Sequence, residues 1–192
     1  MGRTRKALTT AALMSAALAF TAVPAGAAPA GATQGGVTHS TACTTGWGSL
    51  DKSGAAPTSE PLKNIRTGRH DCFDRMVIDV PGAGSGVGHR VRYVGRLQQD
   101  GAGQQIAVGG GAVLEVRVAA AAHDENGQPT YPGRVGRALP GIDLAGYRTF
   151  RDTRFAGSFE GETQIGLGVR ARLPFRVLAL TDRIVVDVAH SW

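Results

Sequence analysis

The sequence predicts an all-β protein of about six to eight short strands, a sandwich or a related barrel. Three observations point there. Apolar residues recur with period two in several short runs, turn residues separate those runs, and one seven-residue string occurs twice. Beyond the first 42 residues, no long apolar run has the 3.6-residue period of a helix. Gly 28 and Pro 9 supply the many turns that short strands need.

The expected strands run in order. In "DRMVIDV", Met76, Ile78 and Val80 fall on one face and Arg75, Val77 and Asp79 on the other. "HRVRYVGRL" sets Val91, Tyr93 and Gly95 against Arg90, Arg92 and Val94. "GAVLEVRVAA" sets Leu114, Val116 and Val118 against Val113, Glu115 and Arg117. "TQIGLGV" alternates Ile165, Leu167 and Val169 with polar or absent side chains, and "FRVLAL" and "DRIVVDV" complete the series. Turn signals fill the gaps: "PGAGSGVG", "QQDGAGQQ", "DENGQPTYPG" and "LTD". The stretch "ALPGIDLAGYRTFRDTRFAGSFEGETQ" lacks clean alternation. There the expectation is one short helical turn over residues 149–155, with "SFEGE" opening the next strand.

The first 32 residues carry a different signature. Arg3, Arg5 and Lys6 precede an apolar run from Ala7 to Val23, and small residues in "AGAAPA" follow. Residues 1–27 are expected to be a secretory signal peptide, cleaved near Ala27. No cysteine flanks that point, so a lipoprotein anchor is not expected. Residues 28–42 read as a flexible lead-in, and 43–192 as one domain with a true core. The mature chain is expected outside the cell, released or associated with the wall, with no membrane span. Loss of the three leader cations takes the net charge from +6 to +3. With no Lys/Arg run, that balance points away from nucleic acid. Cys43 and Cys72 are the two cysteines, and a pair in an oxidising compartment is expected to form a disulfide.

"DRMVIDV" at residues 74–80 returns as "DRIVVDV" at residues 182–188, identical at five of seven positions. A catalytic constellation is seldom duplicated whole within one small domain, whereas a strand type readily is. The Arg and Asp of each copy lie four residues apart, about 13 Å along a strand and out of mutual reach. As antiparallel neighbours in register, the two copies would cross: Arg75 opposite Asp187 and Asp79 opposite Arg183. In separate sheets, related by a pseudo-twofold, each charge would need another partner. These four residues are the expected structural charge pairs.

The motif in "RMVIDV" and "RIVVDV" resembles the signature strand of AMIN domains, β-sandwich modules of bacterial envelope proteins. With "WGSL", "IRTGRHDCFDRMVIDV", "RVRYV", "FEGETQIGLGVR" and "PFRVLALTDRIVVDVAH", the chain is more closely similar to the AMIN-like domain of secreted actinobacterial proteins. That likeness covers most of residues 43–190. It implies a β-sandwich and a module that localises proteins by contact with peptidoglycan or other envelope components. It supplies no catalytic residues.

The residues themselves make a weak case for chemistry. His39, His70, His89, His123 and His190 show no HxH, HxxxH or HExxH spacing, so neither zinc nor another cofactor is expected. Asp71 and Asp74 could pair for acid–base work, but carboxylates flanking strands are usually solvated. Trp47 is expected to pack by the disulfide, or to offer a stacking surface for a glycan. Arg90 and Arg92 share a face that could meet an anionic wall polymer. The expected function is a secreted, non-catalytic binding module of the envelope, its partner a cell-wall polymer or an extracellular protein. The alternative is a secreted inhibitor or partner-binding domain that presents "DENGQPTYPGR". A hydrolase using His70, Asp71 or Asp74 ranks last.

Overall fold

The computed structural model describes residues 43, 46–56 and 58–192, so the expected leader and lead-in lie outside the described residues. Among the described residues there is no helix, and eleven strands form three antiparallel sheets. The first four strands are β1 (Lys52–Gly54), β2 (Asn64–Arg69), β3 (Phe73–Asp79) and β4 (His89–Val94). A small hairpin, β5 (Leu97–Gln98) and β6 (Gln105–Ile106), precedes β7 (Ala112–Val118). The chain closes with β8 (Phe150–Phe159), β9 (Glu162–Val169), β10 (Phe175–Leu180) and β11 (Arg183–Ala189). One sheet has the order β1-β4-β7-β9-β8 and the other β10-β11-β3-β2, with β5–β6 standing apart.

Alternation builds the core between the two large sheets. Met76, Ile78 and Val80 from β3 and its end meet Ile184, Val186 and Val188 from β11, all with no exposed surface. Val91, Leu114, Val116, Ile165 and Leu167 face them from the five-stranded sheet, equally buried. Burying each such side chain stabilises the fold by about 1.5–3 kcal/mol before the entropy of ordering is subtracted. These are the inward faces that period-two reading assigns.

The glycines of "TQIGLGV" have a use that alternation alone does not reveal. The β5–β6 hairpin and the segment after it lie on the outer side of β9. A Cβ at Gly168 would stand 1.9 Å from the Gly109 carbonyl oxygen, and one at Gly166 2.5 Å from Leu97 Cδ2. Absent side chains let this third layer close, sealing a small cluster of Leu97, Ile106 and Ala156.

The expected helical turn over residues 149–155 is overturned: β8 runs through it as a ten-residue strand. Two register shifts, between Phe150 and Asp152 and between Phe155 and Gly157, displace its alternation. Phe155 and Ala156 are consequently both buried, and the period of two is lost to the eye. "SFEGE" is corrected as well, since Ser158 and Phe159 end β8. Glu160 and Gly161, at φ 49 and 82, form the tight turn, and β9 starts at Glu162. The strand count exceeds the expected six to eight because short or bulged strands such as β1, β5 and β6 carry almost no pattern.

A cation–aromatic face as candidate functional site

The heptapeptides lie side by side on the four-stranded sheet. β11 pairs with β3 antiparallel, with Asp187 opposite Arg75, Val185 opposite Val77 and Arg183 opposite Asp79. Residues 75, 77 and 79 point away from the core because their neighbours 76, 78 and 80 fill it. β10 lies on the far side of β11, and alternation in "PFRVLAL" places Arg176 opposite Asp187.

Two guanidiniums therefore share one carboxylate. Arg75 grips Asp187 with a fork, Nε to Oδ1 at 2.6 Å and Nη2 to Oδ2 at 2.9 Å. Arg176 Nε donates to Oδ2 at 2.8 Å. Asp187 is fully buried, while the Arg75 and Arg176 side chains keep 28 % and 35 % of their surface exposed. Hydrogen bonding to Asp187 holds the Arg75 guanidinium above its ordinary pKa, against a smaller downward pull from burial.

The other rung of the expected ladder has the register without the ion pair. Asp79 is taken by β2 instead, from Arg66 Nε at 3.0 Å and Asn64 Nδ2 at 3.3 Å. Arg183 turns away and donates to the Thr181 carbonyl at 3.4 Å. The physical reason is the third strand. β2 brings a guanidinium within reach of Asp79, and the Arg183 side chain is then left beside its own turn.

Aromatic rings floor the cations. Arg176 Cζ stands 4.4 Å from the Trp47 ring centroid and 5.4 Å from that of Phe73, and Arg75 Cζ lies 5.2 Å from Phe73. Trp47 meets Phe73 edge-on at 5.6 Å, and His70 stacks on Phe73 at 4.4 Å. Each such cation–ring contact is worth about 0.5–1 kcal/mol at an exposed site. Trp47 is half-buried, packed against Phe73 and Arg176. The disulfide between Cys43 and Cys72 closes this end, joining the chain ahead of Trp47 to the β2–β3 turn. By loop entropy it stabilises the fold by about 3.5 kcal/mol.

Asp74 needs correction, since it is not a solvated turn residue. It is fully buried and accepts from Thr149 N at 2.6 Å, Phe150 N at 3.0 Å and His190 Nε2 at 3.1 Å. It bolts the four-stranded sheet to the start of β8 in the other. His190 is buried too, and its Nδ1 faces the Asp71 carbonyl at 3.2 Å. Asp71 keeps an exposed side chain. His89 and His123 make ring contacts to the carbonyls of Val87 and Asp124. His39 lies outside the described residues.

Arg90 and Arg92 project from the opposite face of the molecule. Arg92 Nε gives a 2.7 Å bond to Glu115, which also receives Gln164 Nε2 at 2.7 Å and Arg117 Nη2 at 3.3 Å. Burial pushes the Glu115 carboxyl up, but the bonds from Arg92, Gln164 and Arg117 outweigh it and hold the pKa below 4.5. Arg90 is exposed. Sequence reasoning missed Arg176, and it named Glu115 and His190 without placing them. Alternation around Phe175 was the available signal for Arg176; Glu115 and His190 owe their burial to distant segments.

Fold and site together define a class: an antiparallel β-sandwich whose concentrated chemistry lies on an open sheet face. The chain belongs to the AMIN-like domain family, whose model matches residues 60–190. That membership points to an envelope-associated module. Comparison with curated proteins found no match, and comparison with solved structures found none either.

Proposed function

We propose that this protein is a secreted, non-catalytic binding module of the cell envelope, and that the face built on Trp47, Phe73, Arg75 and Arg176 contacts peptidoglycan or an anionic wall polymer. The observation that carries this reading is the pair of guanidiniums sharing Asp187 on an aromatic floor. Two cations against one carboxylate leave a net positive charge. Both side chains stay partly exposed, and guanidinium N–H groups not spent on Asp187 suit carboxylates, phosphodiesters and sugar hydroxyls. Family membership supports an envelope setting.

A catalytic reading has less support. The buried Asp74–His190 pair has the look of an acid–base couple, but both imidazole nitrogens already face acceptors and none is left for a substrate. The inhibitor reading rests on less. Asp124 Oδ1 accepts from Asn126 N and Gln128 N, which orders the turn it would present, but among the described residues no cluster of cations on aromatic rings is gathered there to mark a partner surface.

Sedimentation with purified cell walls tests the proposal. Wild-type chain should be retained at low salt and released as salt rises, and Arg176→Gln should weaken retention by about fivefold. Retention no better than that of a control protein of equal charge would sink the reading.

A further inference from the structure

Beside the cation–aromatic face, at the open end of the sandwich, lies a second cationic feature of different shape. A pocket of about 350 Å³ is walled by Arg69, His70 and Arg148, with Gly146 on one side and the Asp74–His190 pair lining it as well. Its charges are unevenly spent. Asp74 is fully engaged by two backbone amides and an imidazole. Arg69 donates to no acceptor among the described residues, and Arg148 makes one long contact, 3.4 Å from Nη1 to the Asp71 carbonyl. Two forks of N–H donors thus border one small space with Asp71 as the exposed acid.

The walls are also braced. Arg151 ties the loop carrying Gly146 and Arg148 through bonds to the Tyr147, Arg148 and Phe150 carbonyls at 2.9–3.0 Å. Tyr147 donates its hydroxyl to Thr67 at 2.9 Å and stacks on Phe150 at 5.7 Å, and Asp74 holds the amides just beyond. Gly146 has φ +77, and a Cβ there would stand 2.7 Å from Arg69 Nη1. The missing side chain lets the Arg69 guanidinium lie against the loop backbone. A preorganised pocket with unspent guanidiniums recognises an oxyanion, since the planar fork matches two oxygens at once.

We infer that this pocket binds the oxyanion group, carboxylate or phosphate, of a ligand. Arg69 and Arg148 supply the donors and Asp71 tempers the charge, so a singly charged group fits best. The inference does not depend on wall binding by the neighbouring face.

The test is titration of the full mature chain with sodium acetate and with sodium phosphate, each against sodium chloride at matched ionic strength, following backbone amide shifts by NMR. Saturable shifts at Gly146, Arg148 and Thr149, with a Kd on the order of a millimolar, are expected. The double variant Arg69→Gln/Arg148→Gln should lose them, and both positions are exposed enough for an unchanged melting curve to verify folding. Asp71→Asn should tighten binding by about threefold by removing the opposing charge. Arg176→Gln should leave the titration unchanged while it weakens wall retention, which separates failure of one reading from failure of the other. Saturation by acetate alone assigns a carboxylate ligand and by phosphate alone a phosphate ligand. Shifts that never saturate, or a double variant that binds like wild type, overturn the inference.

Discussion

Residues 74–80 and 182–188 share five of seven residues and lie as adjacent strands, yet the same letters do different jobs. Asp74 is buried between the sheets, holding Thr149, Phe150 and His190. Its counterpart Asp182 sits in the turn before β11 at φ 61, and its carboxylate accepts a single amide bond, from Gly84 at 2.8 Å. Arg75 forks a buried carboxylate, whereas Arg183 touches a carbonyl. Around the axis relating the two copies, the difference comes from their outer neighbours. β10 sets Arg176 opposite Asp187, and β2 sets Asn64 opposite Asp79. A motif specifies a strand and its inward face; its polar residues acquire their roles from whatever strand lies alongside.

The sharpest way to break this comparison is to remove both leading aspartates in turn. Asp74→Ala should cost about 3–4 kcal/mol, because it strands two buried amides and a buried histidine. Asp182→Ala should cost about 1 kcal/mol, for one lost bond and a left-handed backbone position. Equal losses in urea melts would mean the copies are equivalent after all. Next in size, Asp187→Asn should cost about 2–3 kcal/mol, since two guanidiniums lose their shared buried anion. Asp79→Asn, whose partner Arg66 is half exposed, should cost no more than about 0.5 kcal/mol.

A third carboxylate extends the comparison beyond the repeat. Glu115 has a folded-state pKa below 4.5, so it contributes stability above pH 4.5 that disappears as pH falls through its lower folded value. Thermal melts between pH 7 and pH 3 should show this acid limb, and Glu115→Gln should flatten it while lowering stability at pH 7 by about 1–2 kcal/mol. An effect of opposite sign belongs to a polar group that no described neighbour serves. The buried Tyr131 hydroxyl has no partner among the described residues, and burial pushes its pKa up to about 12. Tyr131→Phe should be neutral or stabilising by up to about 1 kcal/mol, and a clear loss would reveal a hidden partner.

What could be read from residues alone follows from how local each cause is. Inward faces such as Met76, Ile78 and Val80 depend only on the pleat, so alternation finds them. For the twin strings, charge complementarity offered adjacent pairing as one of two arrangements; the register is that one, but only the Arg75–Asp187 rung forms an ion pair. β8 was obscured because two bulges shift its phase, and "TQIGLGV" hid its purpose because Gly166 and Gly168 answer to a hairpin some 60 residues earlier in the chain. At the site, Phe73 and Arg75 lay within a recognisable motif. Asp74 could be named but not placed, since its burial is decided by the amides of residues 149 and 150.

The bond between Cys43 and Cys72 also sets how the molecule would bear tension. A pull on the chain ahead of residue 43 passes through sulfur into the β2–β3 turn, whose Cys72 carbonyl is bonded to His190 N. The load enters the four-stranded sheet directly. Reduction reroutes it through residues 46–54, fastened by the Phe175–Gly48 amide bond, the Arg172 contacts to Ser49 and three β1–β4 pairs. A covalent anchor would give way to a short seam, and Trp47 would be the first aromatic drawn off the face.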